Sequence, residues 1–135
     1  MAAVSTPSDQ PKHGGDLTIE VDRNQNLLKV VGRGFWPLPY LVDHLRQFEG
    51  ALAEARRSLK PSRTLVDLRD APVQSPDVAA YPHDAISRMY RPPERAAIVV
   101  GSSLVKMQMK RGFDPQIHAV FLTLREADDW LRQTD

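Results

Sequence analysis

The sequence predicts an α/β fold: a mixed, mostly parallel five-stranded sheet flanked by helices, in the order β-β-α-β-α-β-α-β-α. Three observations predict it. After an initial pair of strands, short apolar runs alternate with longer segments of helical period. Strands separated by helices need crossover connections, which are right-handed in nearly all cases. The run "RAAIVV", Arg95 to Val100, is uniformly apolar after its arginine, as a central parallel strand covered on both faces must be.

Leu17, Ile19 and Val21 alternate with Thr18, Glu20 and Asp22, the period of a half-buried strand. "RNQN" supplies turn residues, and "LLKVVG" reads as a second strand in a hairpin. Whether these two strands are direct neighbours is left open by the sequence. Beyond Gly32-Arg33-Gly34, Pro39 suits the first turn of a helix, where its missing N–H costs nothing. Leu41, Val42, Leu45, Phe48, Leu52, Ala55 and Leu59 then mark one helical face, and Lys60-Pro61-Ser62 stops it. Gly50 inside this helix is expected to mark the close approach of a neighbouring backbone.

"RTLVDL" reads as a buried strand, and "SPDVAAYPHDAISRMY" as a helix with Ser75 at the N-cap and Pro76 at its first position. Pro82 should kink or restart that helix, and Pro92-Pro93 end it. After the central strand, Ser102 or Ser103 caps a third helix running to about Arg111, closed by Gly112. "IHAVFL" is the fifth strand. Thr123 and Glu126 have capping-box spacing before a last helix carrying Ala127, Trp130 and Leu131.

The chain has 135 residues, 41% hydrophobic and 26% charged, with a net charge of +1 and no cysteine. That is globular composition in which no overall charge points to nucleic acid or an anionic surface. Disulfides, thiolate chemistry and Cys-containing zinc sites are excluded. Residues 1–15, rich in Pro, Gly and small side chains, read as a flexible N-terminal tail, and residues 16–135 as a single domain. Neither a signal sequence nor a membrane-spanning run is evident, so the expected location is cytoplasmic.

The stretch "RAAIVVGSSLVKMQMKRGFDPQIHAVFLTLREADDWL" resembles the C-terminal half of bacterial SpoIIAA-like proteins, within the STAS superfamily (sulfate transporter and anti-sigma factor antagonist domains). The resemblance rests on a strand, a Gly-Ser-Ser turn, a "KMQMKR" helix, a strand ending in phenylalanine and an Ala-x-x-Trp-Leu helix. It implies a STAS-type fold and a cytoplasmic setting. Relatives bind other proteins, some are switched by serine phosphorylation, and some have been compared with CRAL-TRIO lipid carriers. Regulatory STAS domains carry an Asp-Leu-Ser strand end and, eight residues after its Asp, an Asp-Ser-Ser or similar triplet. Here Asp67-Leu68-Arg69 lacks the serine, and Ser75-Pro76-Asp77 has proline at the phosphorylated position. The switch is therefore not carried over, and Ser75 reads first as an N-cap.

Ligands of open α/β sheets tend to sit beyond the C-terminal strand ends. There Gly101, Ser102 and Ser103 form either an anion cradle, with Arg69 and Lys106 adding charge, or an ordinary helix cap. Walker spacing and the third glycine of a dinucleotide fingerprint are missing. Phe35, Trp36 and Tyr40 stand at a strand-to-helix junction as pocket, interface or core. Met107 and Met109, two apart, cannot share one helix face closely; they read first as gap-filling core, or else as one packed inward and one near the surface as an adaptable contact. His13, His44, His83 and His118 have no metal-site spacing, and no G-x-S-x-G elbow is present. A receiver-like reading fails because the chain starts β-β and lacks the acidic pair in its first strand. Neither cofactor nor metal nor nucleic acid is expected. The sequence thus predicts a non-catalytic STAS-like regulatory or protein-interaction module, self-associating, with a carrier or sensor of a small apolar or amphipathic ligand as the alternative.

Overall fold

The structure, a computed structural model, describes residues 15–59, 62–111 and 113–133. Of the expected tail only Gly15 falls within them; Lys60 and Pro61 at the first helix stop and Gly112 at the third lie outside the described residues. The elements are β1 (Asp16–Asp22), β2 (Leu27–Arg33), α1 (Leu38–Ser58), β3 (Arg63–Asp70), α2 (Pro76–Ser87), β4 (Arg95–Val100), α3 (Ser103–Lys110), β5 (His118–Phe121) and α4 (Leu124–Leu131). Sheet order is β1-β2-β3-β4-β5. β1 and β2 are neighbours in an antiparallel hairpin, and the remaining pairs are parallel. Asn26 takes the left-handed conformation at φ 60° in the hairpin turn, where Asp22 Oδ1 accepts from the Gln25 N–H at 3.0 Å.

Alternation along the strands assigns the two faces. Leu17, Ile19, Leu28 and Val30 enter a cluster with the apolar stripe of α1. Farther across that face, Ile98, Val100 and Val120 pack with Val105 and Met109 of α3. On the reverse face, Ala97 and Val99 meet Ala127 and Leu131 of α4. Three helices thus cover one side and one helix covers the other. Arg63 Nε donates to the Leu131 carbonyl at 2.8 Å, and Arg95 Nη1 to those of Trp130 and Gln133 at 3.0 and 3.1 Å. These arginines bring side-chain donors to carbonyls at and just beyond the C-terminal end of α4, where the helix ladder runs out.

α1 buries His44 and Ala51 besides the expected leucines and Phe48, whereas Val42 is only half-buried. Gly50 corrects an expectation. A Cβ built there would meet nothing within 4 Å, so no neighbouring backbone requires the glycine. Gly32 does serve close approach: a Cβ would come 2.8 Å from the Trp36 ring and 2.6 Å from Leu68 Cδ2. α2 runs unbroken through Pro82, so the expected restart does not occur. Proline removes one intrahelical hydrogen bond, but the Ala79 N–H still bonds the Ser75 carbonyl at 2.8 Å, and the helix is retained. Ser75 occupies the N-cap position, yet its hydroxyl donates to Asp77 Oδ1 at 2.6 Å instead of capping a backbone N–H.

One polar network ties α1 to the approach to β4. Arg56 forks onto Glu94, with Nε and Nη2 donating to the two carboxylate oxygens at 2.6 and 2.8 Å. Nη2 also donates to the Met89 carbonyl. The Ser62 hydroxyl and the Arg91 N–H, each 2.9 Å away, complete the shell around Glu94. Burial pushes the Glu94 carboxyl up, but these donors outweigh it and hold it below the usual carboxylate range. Glu94→Ala should leave the Arg56 charge uncompensated and lower unfolding stability by about 3 kcal/mol in a denaturant titration. Gly50→Ala should act in the opposite sense, adding about 1 kcal/mol in the same measurement, because the exposed helix interior has room for the methyl group.

A candidate ligand cavity beneath α2

α2 stands off from the sheet. Among the described residues none of its Cα atoms comes within 8 Å of a strand or of α3; its backbone approaches α1 alone. Beneath it lies a cavity of about 160 Å³. Its floor is Val66 and Leu68 of β3, Ala96 and Ile98 of β4, and His118 of β5. Leu41, His44 and Phe48 of α1 form one wall, and Val105 and Met109 of α3 another. Val78, Pro82 and Ile86 of α2, with Tyr90 beyond it, form the roof. The lining residues Pro72, Val73, Ala79 and Gln108 are exposed, so the mouth opens between α2, the segment before it, and α3.

That preceding segment is fixed by Gln74. Its Nε2 donates to the carbonyls of Gly34 and Pro72, both at 2.9 Å, and its Oε1 accepts from the Trp36 N–H at 3.0 Å. Gln74 therefore lines the cavity with its polar atoms committed elsewhere. The Tyr90 hydroxyl is also engaged, donating to Thr64 Oγ1 at 3.1 Å, and burial pushes its pKa well up. Among the described residues no lysine, arginine, aspartate or glutamate lines the cavity.

Rings dominate the inner wall. His44 stacks on Phe48 at 6.5 Å between centroids, Phe48 tilts against Tyr90 at 6.3 Å, and the His118 ring meets Tyr90 edge-on at 4.9 Å. Phe113 then stacks on His118 at 4.7 Å. Burial alone pushes the His44 imidazole from its ordinary 6.5 down to about 4. At neutral pH it is an uncharged ring with one donor and one acceptor nitrogen.

Among solved structures the chain is similar to an uncharacterized protein of the DUF3478 family, described as having a SpoIIAA-like fold, from Shewanella loihica. The two are 20% identical with a TM-score of 0.60, over 91% of this chain and 98% of that one. This chain has a SpoIIAA-like fold. No family model and no curated protein matches the sequence. A SpoIIAA-like fold fixes the chain path and leaves function to the side chains mounted on it.

On this SpoIIAA-like frame the residues singled out in the sequence separate. Trp36 is buried and lines the cavity, with Nε1 donating to the carbonyls of Asp16 and Arg33 at 3.0 and 3.1 Å. The Tyr40 hydroxyl accepts from the Leu17 N–H at 3.0 Å, stapling α1 to β1. Phe35 is 58% exposed and does not line the cavity. Arg69 forks onto Asp67 at 2.9 and 2.8 Å, holding that carboxyl below its usual range, on the strand face opposite Val66 and Leu68.

Ser102 Oγ accepts from the Val105 N–H at 3.3 Å and so caps α3. Ser103 is exposed, Lys106 half-buried, and neither lines the cavity. A Cβ on Gly101 would fall 2.6 Å from the Arg69 carbonyl oxygen, so the backbone itself requires this glycine. Met109 turns inward and Met107 is 64% exposed, so the gap-filling core reading holds for Met109 and not for Met107. Among the described residues no cluster of three acidic, His or Cys side chains could hold a metal, and no helix is long and apolar enough to cross a membrane.

Sequence reasoning missed His44, His118, Tyr90 and Phe113. For the histidines a signal was present. His44 falls on the α1 stripe between Leu41 and Leu45, and His118 shares its strand face with Val120. Because the folded His44 pKa lies below the unfolded value, its neutral form contributes stability fully above pH 6.5, and that contribution is lost as pH falls toward 4. The loss should approach about 3 kcal/mol. Denaturant titrations of His44→Leu should show that part of the pH slope removed between pH 6.5 and 4.

Proposed function

We propose that this chain is a non-catalytic, SpoIIAA-like regulatory module that takes a small apolar ligand into the cavity beneath α2, as its carrier or sensor. The cavity carries the reading. A helix bridging α1 and the sheet over about 160 Å³ of apolar space leaves buried surface unfilled, which a close-packed interior avoids. Filling it restores dispersion contacts that the lining side chains forgo. The apolar character of the described lining residues, none of them ionic, supports uptake of apolar matter over bond-breaking chemistry.

Xenon is the plainest probe, since apolar cavities of roughly 150 Å³ admit it. Under xenon pressure, NMR signals of the Val66, Leu68 and Ile98 methyl groups should shift saturably, while those of Val99 on the opposite face should not. Ala79→Phe, at the exposed rim, should reduce that response. Unchanged spectra in the native protein would remove this reading.

A second reading, self-association as a protein-interaction module, rests on the outer side of α3. Leu104 and Met107 are three residues apart there and 60% and 64% exposed. Light scattering behind size exclusion should then give a dimer that Met107→Glu converts to monomer; a monomer at high micromolar concentration in the native protein counts against it.

A further inference from the structure

The cavity's size and wall chemistry narrow the ligand class, and the narrowing rests on the binding reading above. We propose that the cavity selects a compact, uncharged aromatic molecule of one or two fused rings whose single polar atom meets His44. Volume limits length. At about 160 Å³ the space matches apolar cavities that hold one benzene ring, and a long acyl chain would leave most of its methylenes outside.

The wall then favours rings over short aliphatic chains. His44, Phe48, Tyr90, His118 and Phe113 form an unbroken series of ring contacts with centroid spacings of 6.5, 6.3, 4.9 and 4.7 Å. All five line the cavity, so a bound ring meets faces and edges in the stacked and edge-on arrangements that aromatic pairs prefer. Charge is disfavoured, because none of the described lining residues is ionic and able to compensate its desolvation. One polar atom is accommodated. Tyr90 and Gln74 are committed to Thr64 and to backbone groups, and Gln108 stands at the mouth. His44 is inside, 7% exposed, on the α1 wall, whereas His118, the other buried lining histidine, has its ring held between Tyr90 and Phe113.

Titrating the full chain with indole, toluene and 1-octanol, read by methyl and imidazole NMR shifts, tests this against xenon as the reference probe. Indole is expected to bind saturably, to shift the His44 imidazole signals, and to exceed 1-octanol in affinity by at least about tenfold. His44→Leu should weaken indole about tenfold, the worth of one hydrogen bond, and leave toluene unchanged. Binding of 1-octanol as tight as indole overturns the aromatic selection. Equal weakening of indole and toluene by His44→Leu, or no weakening of either, overturns the role of His44. If xenon enters and indole does not, the ligand class fails while the cavity reading stands; if neither enters, both fail.

Discussion

The structure turns on how α2 is held. It is fastened at its two ends, and among the described residues its backbone makes no close approach to the sheet. Ahead of it, Gln74 bonds Gly34, Trp36 and Pro72. Behind it, Arg56 reaches the Met89 carbonyl and grips Glu94, whose carboxylate also receives the Arg91 N–H. These bonds span the crossover between β3 and β4, so the helix bridges the gap without sinking into it. Ile86 and Val78 still reach the core, and their side chains span the distance that the backbone does not close. An apolar cavity results from anchoring by polar contacts at the ends.

The rest of the sheet shows the opposite behaviour. β4 is buried from Ala96 to Val100, its alternate side chains serving helices on both faces. Ala97 is small enough for α4 to lie close against it, and Ala127 of α4 is likewise fully buried. On that side Leu27, Ala97 and Val99 pack directly with Ala127 and Leu131. The asymmetry follows from helix number: one helix can settle onto a twisted sheet, whereas three must share a face and meet each other's ends. α1 occupies the hairpin side, α3 the β4–β5 side, and α2 is left spanning between them.

Much of this fold is legible in the residues. Strand alternation at Leu17 to Val21, the apolar run at Arg95 to Val100 and the caps at Ser102 and Thr123 all predict what forms, because each signal is local. Thr123 Oγ1 accepts from the Glu126 N–H, while the Glu126 side chain meets that same hydroxyl instead of the Thr123 backbone. Gly50 misled because a glycine in a helix has several causes and only contact distances separate them. The cavity was harder to read. Tyr90 follows α2, Phe113 follows α3 and His118 begins β5, so nothing in their spacing brings their rings together. Their meeting is a product of parallel crossovers, which join residues far apart in the chain. Trp36 was recognisable as an unusual aromatic, yet its role as an end wall depends on Gly32 lying beneath its ring.

The position of the cavity also separates two ways in which an α/β sheet can bind. Sites beyond strand ends use helix N-termini and loop glycines, and here those groups have structural duties: Ser102 caps α3, Gly101 admits the Arg69 carbonyl, and Arg69 is paired with Asp67. The sheet face, normally sealed by side chains, is where unfilled space remains. An end-of-strand site would offer charge and backbone donors, and a face site offers area and shape. The second kind suits recognition of an apolar body, whose binding is governed by how completely water and empty space are replaced. Because α2 is one wall of that space, filling it adds contacts to the helix least supported by the sheet. Under the proposed reading, a bound ligand would therefore favour the arrangement in which α2 closes over the cavity, since a ligand shifts an equilibrium only through contacts that differ between its states.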